Sequence, residues 1–393
     1  MDQGVIPQAP HEGDAFKPGD AVRVRERLAD YLRARTGRLW LLGDFTRYAV
    51  GFSWITYGFT GRMEGDSEER GLILRLGPPY GLFAPYSALP QFAALKAIED
   101  TAVPAPKAYW WSDDQSLLGA PFFVCERMAG MAPVPWVSGA TAGFEPAWRE
   151  SVGRQFVSAL AALHCRAWRN EPGFEQYANV TVDNAALGQI EYWEAGYERW
   201  SRKQYPMLRW AMLWLRHHLP VAPRVGLVHG DYRLGNFLEL DGRITAILDW
   251  ELVHPGDPHE DLGWAFLPQY TGGSGLVCRL ISQEDFIAQY EREVGFKVNP
   301  DTLHFYRVFS LVKLTLTHIA AARCFEDGHF NDMRMAAMGT QITPVLRQIA
   351  KLLQSTAGPP QGRQRSCGAD SQWCDNTCDV AAKTAARSAQ VTG

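Results

Sequence analysis

Charge in blocks is missing from this chain. Its 39 Lys and Arg and 43 Asp and Glu leave a formal net charge of −4 spread over 393 residues. With no Lys/Arg run there is no electrostatic footprint for nucleic acid or an anionic membrane. The opening Met1-Asp-Gln-Gly-Val-Ile-Pro-Gln has neither a basic region nor an apolar core, so it is not read as a secretory signal. The uncharged stretch from Leu76 to Leu95 holds four prolines and cannot be a spanning helix. A cytoplasmic location is the default expectation. Cysteines are few, seven in all. Cys125, Cys165, Cys278 and Cys324 stand singly in apolar surroundings as small buried hydrophobes, and Cys367, Cys374 and Cys378 match no structural zinc pattern. The sequence also lacks a Gly-x-x-x-x-Gly-Lys-Ser/Thr loop and a Gly-x-Gly-x-x-Gly turn. Gly272-Gly-Ser-Gly-Leu276 departs from the serine-hydrolase elbow at its last position. No internal repeat is visible.

What is present is concentrated between residues 225 and 263. Residues 229–236 read His-Gly-Asp-Tyr-Arg-Leu-Gly-Asn and residues 247–250 read Ile-Leu-Asp-Trp, each after an apolar run. An Asp, an Asn five residues on, and a second Asp at the end of the next short strand is the spacing that phosphoryl-transfer sites use to hold a hydroxyl and Mg²⁺ together. A hydroxyl is a poor nucleophile at neutral pH, so a carboxylate must orient it and take its proton; Asp231 fits that role. Mg²⁺ needs few protein oxygens because it keeps waters and phosphate oxygens, so Asp249 and Asn236 suffice as ligands. Strands Val225 to His229 and Ile244 to Asp249 are predicted to place both blocks on rigid backbone. His229 is read as a buried imidazole satisfied by backbone groups. Asp257 and Asp261, in Gly256-Asp-Pro-His-Glu-Asp-Leu-Gly263, are read as structural, with Asp257 as turn and helix N-cap.

These blocks resemble the aminoglycoside phosphotransferase and choline kinase superfamily. The likeness is greatest to the branch of kinase-like domains fused to acyl-CoA dehydrogenases, marked by His-Gly-Asp-Tyr-Arg-x-Gly-Asn, Asp-Trp-Glu and Gly-Asp-Pro-x-x-Asp-Leu. The resemblance implies an α+β, two-lobed protein-kinase-like fold that binds ATP and Mg²⁺ and phosphorylates a small-molecule hydroxyl. It also implies the nucleotide side of the site. Gly51-Phe-Ser-Trp-Ile-Thr-Tyr57 is similar to the family's phosphate loop, with Trp54 where Asn is usual and Ser53 as donor; an ordinary hairpin turn is the alternative. Arg75, ending the strand Leu72 to Leu76, stands where the phosphate-contacting Lys or Arg falls, with a strand-end charge facing water as the alternative. Gln91 takes the place of the Glu that would pair with that cation. It can accept a hydrogen bond from Arg75 but cannot neutralise it, and Glu99 or Asp100 are the substitutes in reach. Backbone groups at Glu126 to Met128 would read adenine. Arg233 either meets an anionic part of the acceptor or pairs with a neighbouring acid. The acceptor expected is a hydroxy acid or its CoA thioester. An aminoglycoside kinase, a catalytically impaired nucleotide-binding relative and a metal-dependent hydrolase built on His229, Asp231 and Asp249 are the rivals.

Apolar content of 46% is ample for a packed core, and the pattern changes once along the chain. Residues 18–127 read as a small, strand-rich nucleotide-binding lobe that starts with a helix capped by Asp20. Residues 128–355 read as a larger, helical catalytic and acceptor-binding lobe, with helices at 145–168, 191–218, 283–294 and 300–324. The aromatic helix with Trp193, Trp200, Trp210 and Trp214 is read as core. Residues 1–17 and 356–393 lack apolar periodicity and are expected to be disordered. Composition is silent on oligomeric state.

Overall fold

The computed structural model describes residues 20–48, 51, 53–133, 144–328 and 332–354. The expectations for both ends of the chain, including Cys367, Cys374 and Cys378, lie outside them. The first lobe begins with helix α1, Ala21–Thr36, which Asp20 starts by accepting from the amides of Val22 and Arg23. Gly37 at φ +69° ends it. Val24, Leu28 and Leu32 recur at helical spacing and lie fully buried against an antiparallel sheet. The sheet's strands are β1 Trp40–Leu42, β2 Thr46–Tyr48, β3 Ile55–Met63, β4 Arg70–Leu76, β5 Ala108–Ser112 and β6 Phe122–Glu126. Their order is β1-β3-β4-β6-β5, with β2 also on β3.

Period-two alternation decides which way the functional cation faces. Leu72, Leu74 and Leu76 of β4 join Phe122 and Val124 of β6 on the α1 side. Ile73 turns to the opposite face with Phe123 and Cys125 and, by the same alternation, so does Arg75. Helix α2, Leu89–Ile98, lies between β4 and β5 in sequence and buries Gln91 among its alanines. A one-turn helix, α3 Gln115–Leu118, precedes β6.

The second lobe is helical apart from two small strand pairs. Helix α4, Pro146–Cys165, is followed by α5, Ala185–Trp200, and α6, Pro206–His217. The single helix expected over 191–218 is therefore two. Pro206 has no N–H to give a preceding turn and holds Tyr205 extended at φ −117°, ψ 98°, which breaks the run. The tryptophans divide as well: Trp193 and Trp200 are buried, whereas Trp210 is 48% exposed, so the core reading fails there. Cys165 also departs from expectation, being exposed.

The motif strands do not pair with each other. Strand β7, Gly226–Val228, pairs with β10, His254–Gly256, whereas β8, Phe237–Leu240, pairs with β9, Arg243–Ile247. Asp241 and Gly242 join β8 to β9 with φ of 51° and 77°, the two positive angles a two-residue hairpin demands. Asp249 was expected at the end of a strand. Instead β9 stops at Ile247, and Asp249 sits in the turn beyond it at φ 66°.

Helix α7, His259–Ala265, then packs on α9, Pro300–Glu326, after α8, Gln283–Val294. The approach is close: a Cβ on Gly263 would lie 2.7 Å from the carbonyl of Tyr306. Helix α9 is long and apolar enough to cross a membrane, but most of that stretch is buried inside the lobe by its neighbours, as in a core helix. Helices α10, Met333–Gly339, and α11, Ile342–Gln354, complete the described chain.

Candidate active site

Gly230 anchors the loop between β7 and β8. At φ +83° a Cβ there would meet the Leu252 carbonyl oxygen at 2.5 Å, so only glycine is accommodated. Its peptide is gripped from both sides. Asp261, wholly buried, accepts from the amides of His229 at 2.7 Å and Gly230 at 2.8 Å, and its second partner for Oδ2 is His164 Nε2 at 3.0 Å. On the other side Lys313 Nζ donates to the Gly230 carbonyl at 2.6 Å and to Glu260 Oε1 at 2.9 Å. Asp261 is thus structural, as read from the sequence. Asp257 accepts from the His259 amide at 3.0 Å while Pro258 occupies the cap position itself. His229 has Nε2 on the Leu248 carbonyl at 2.8 Å and Nδ1 on the Asp231 amide at 3.1 Å. Those partners fix a neutral ring, and burial lowers its pKa further against the pull of Asp261 and Asp231.

Asp231 stands at the tip of this loop with both carboxylate oxygens oriented. Oδ1 accepts from Arg233 Nε at 2.9 Å and Trp264 Nε1 at 2.7 Å; Oδ2 accepts from Asn236 Nδ2 at 2.6 Å. The Asn236 amide nitrogen also donates to the Asp231 carbonyl at 2.9 Å, which leaves its oxygen as the atom available to a cation. Of the two roles open to Arg233, the structure shows the pairing with a neighbouring acid. Its NH1 goes to the Leu234 carbonyl at 3.2 Å, and the guanidinium lies 5.6 Å from the Tyr270 ring centroid.

The first lobe meets this loop through Arg75. Its guanidinium reaches Asp249 Oδ1 at 3.0 Å across 174 residues of sequence. Burial alone would raise the Asp249 pKa, but Arg75, with help from Arg233 and His229, holds it below the ordinary carboxylate range. The expected contact between Gln91 and Arg75 is absent. Gln91 is 2% exposed and neither of its amide atoms has a partner among the described residues, Asp249 having taken the cation. Glu99 is no substitute, being bonded to Lys96.

Ser53 donates to Glu251 rather than standing free for a phosphate. Burial, and after it the charge of Asp249, pushes the Glu251 carboxyl up to about 8. Farther along, the hinge amides of Glu126 and Arg127 are spent on the carbonyls of Lys107 and Gly71, so the adenine-reading role expected of Glu126 cannot use its N–H. Met128 lies just past the end of β6.

Two participants escaped the sequence reading. Glu251 enters the sequence reading only as the last residue of Asp-Trp-Glu, with no role given to it. Lys313 was passed over, although a lone cation inside Leu311-Val-Lys-Leu-Thr-Leu316 is itself a signal, since Lys is almost never fully buried without a partner.

The donor set fits Mg²⁺. Asn236 offers one amide oxygen at the end of the Gly230 loop and Asp249 one carboxylate just past β9, and a hard cation bound with phosphate oxygens asks no more of the protein. Among the described residues no three His, Cys, Asp or Glu side chains converge as a metal cage, which leaves the metal-hydrolase reading without its ligands. Asp249→Ala and Asn236→Ala are each expected to raise the Mg²⁺ concentration needed for half-maximal activity, Asp249→Ala more, since it removes the charged ligand. Mg²⁺ titrations that overlay the wild type would place the ion elsewhere.

A strand-rich lobe and a helical lobe meeting at a loop of this geometry define a kinase-like phosphotransferase fold. The chain belongs to the phosphotransferase enzyme family (APH), whose sequence model matches residues 62–303. Curated relatives include mouse acyl-CoA dehydrogenase family member 10, 27% identical over 264 residues, covering 63% of this chain and 24% of that protein. Rat acyl-CoA dehydrogenase family member 11 is 28% identical over 256 residues, covering 62% and 32%. The chain thus spans about a quarter to a third of the length of these relatives. Among solved structures, a Ralstonia eutropha protein provisionally described as an aminoglycoside phosphotransferase superimposes with a TM-score of 0.65 at 23% identity, covering 84% of this chain and 98% of that one. A macrolide 2′-phosphotransferase type I does so with 0.51 at 17%, covering 81% and 96%. At these identities the structures share the fold.

Proposed function

We propose that the chain transfers the γ-phosphoryl group of ATP, with Mg²⁺, to a hydroxyl of a small hydroxy acid or hydroxyacyl thioester. The observation that carries the reading is Asp231, oriented by Arg233, Trp264 and Asn236, with Asp249 and the Asn236 oxygen beside it. Asp249 and Asn236 would hold the ion, which supplies neutralisation of the charge that builds on the phosphates. Arg75 is the cation placed to meet a phosphate oxygen once it shares Asp249. Asp231 takes the acceptor's proton as the hydroxyl oxygen bonds to phosphorus. The bond from phosphorus to the bridging oxygen breaks, and its electron pair leaves with ADP.

The acceptor class draws support from charge. Aminoglycosides are polycations, yet Glu260 is matched by Lys313 and Asp261 by backbone amides and His164. Helix α9 presents no acid between Leu311 and Ala322. The relatives named above are acyl-CoA dehydrogenase family members, which points to acyl substrates. The test is transfer of label from γ-³²P-ATP to a panel of hydroxy acids, their thioesters and aminoglycosides. Label on an acyl compound is expected. Label on kanamycin alone overturns the acceptor class, and ATP binding without transfer to any alcohol favours the impaired relative, in which Gln91 has cost turnover.

A further inference from the structure

Lys313 and Arg279 are the buried cations among the described residues, at 1% and 8% exposure. Lys313 is matched by Glu260. Arg279 is matched by nothing there: its guanidinium makes no hydrogen bond or ion pair, and Nε and Nη1 are closed off from solvent while Nη2 is not. A guanidinium cannot shed its proton to escape the cost of burial as a lysine can. An unpaired charge held in this way is among the most costly arrangements a protein interior can contain.

The backbone holds Arg279 in place. Gly272-Gly-Ser-Gly-Leu276, the run that fails as a hydrolase elbow, folds over it so closely that a Cβ on Gly272 would lie 1.9 Å from Nε and 2.0 Å from Nη2. The guanidinium occupies the room that a side chain would need. Cys278 and Arg279 have φ of 47° and 61°, two consecutive non-glycine residues in the left-handed region, where L side chains are strained. Such strain collects at ligand clamps. The segment lies against the loop that carries Asp231. The Tyr270 ring centroid is 5.9 Å from that of Trp264 and 5.6 Å from the Arg233 guanidinium, and the Cys278 thiol donates to the Ala265 carbonyl at 3.5 Å.

We propose that Arg279 is the core of a binding site for an oxyanion, a carboxylate or a phosphate, which enters at Nη2 and supplies the counter-charge that the chain does not. Arginine suits the task because its planar fork can meet two oxygens of either group at once. Two sources carry this one chemistry: the carboxylate of a small organic acid, and free phosphate. The site goes beyond phosphoryl transfer. Arg75 and Asp249 play no part in it, so it stands or falls apart from the proposed function.

The test is calorimetric titration and thermal unfolding of the full chain, without nucleotide or Mg²⁺, against inorganic phosphate, 3-hydroxybutyrate and the uncharged 3-hydroxybutyramide, with ionic strength held constant by chloride. Phosphate or hydroxybutyrate is expected to bind and to raise Tm in step with occupancy, and the amide is not. The anion that binds more tightly identifies the source. Arg279→Met should weaken that binding at least about tenfold. Its Tm in the absence of both anions should equal or exceed that of the wild type, because the substitution removes a charge without stranding a partner. Hydrogen exchange gives a second readout on the unaltered chain: amides of residues 271–281 should slow when the anion binds. The site is overturned when neither anion binds, when the amide binds as tightly as the acid, or when exchange slows only elsewhere. Equal gains in Tm for both proteins also overturn it, since that is a general effect of the salt on the fold. A lower Tm for Arg279→Met with unchanged anion affinity makes the arginine structural and rejects the proposal.

Discussion

Asp231→Asn is expected to lower kcat by roughly 10²- to 10⁴-fold, the contribution of a positioned general base. In the proposed function the carboxylate takes the acceptor's proton, and an amide cannot. A second effect follows from the geometry around it. Asn236 Nδ2 donates to Asp231 Oδ2 at 2.6 Å, while Arg233 and Trp264 donate to Oδ1. The new amide can keep its oxygen on the latter pair only by facing its NH₂ against that of Asn236. Asn236 must then turn its own oxygen inward, away from the cation. The variant should therefore show a raised Mg²⁺ requirement beside its loss of turnover, with nucleotide affinity at saturating Mg²⁺ little altered. Steady-state kinetics across Mg²⁺ concentrations, with calorimetric nucleotide binding, measure all three. A kcat near that of the wild type removes Asp231 from the role of base.

Lys313→Met is expected to destabilise the fold by about 3–5 kcal/mol, the cost of stranding one member of a buried ion pair. Lys313 and Glu260 are each 1% exposed. Removing the lysine leaves the Glu260 carboxylate with His254 Nε2 at 3.1 Å as its remaining partner and frees the Gly230 carbonyl. Methionine matches the length of the stem and is tolerated by the surrounding aromatics, so the loss reports the charge rather than a cavity. Combining it with Glu260→Gln should restore part of the stability, because the stranded charge is then gone. Urea unfolding of the single and double variants decides it. A single-variant loss below about 1 kcal/mol, the level of an exposed pair, would show that Glu260 finds water or another partner.

Much of the fold was legible because its causes are local. Asp20 caps α1 through amides two and three residues away, and Ser282 starts α8 in the same manner. The alternation of β4 places Arg75 opposite the leucines without reference to any other element. The helix break at Pro206 was equally local and was overlooked: an apolar rhythm continuing on both sides concealed a residue that cannot supply a helical N–H. The separation of β7 from β9 could not be read that way, since either strand would bury equally well beside the other.

The site divides along the same physical line. The sequence by itself determined the motif on which the proposed function rests: an Asp, an Asn and a second Asp at a spacing suited to a hydroxyl and a hard cation, with a glycine where the backbone must turn at positive φ. Residues so few apart are held in register by the chain's own geometry. The tertiary structure alone decided which charges meet, and there the sequence reading went astray. Arg75 pairs with Asp249, 174 residues away, and Ser53 with Glu251, 198 residues away. Lys313 reaches the Gly230 loop from a helix far along the chain, and Gln91 is left without a partner among the described residues. Each of these depends on how two lobes and a long helix pack against one another. A buried charge takes whichever opposite charge that packing brings within about 3 Å, because leaving it unpaired costs more than the choice of partner.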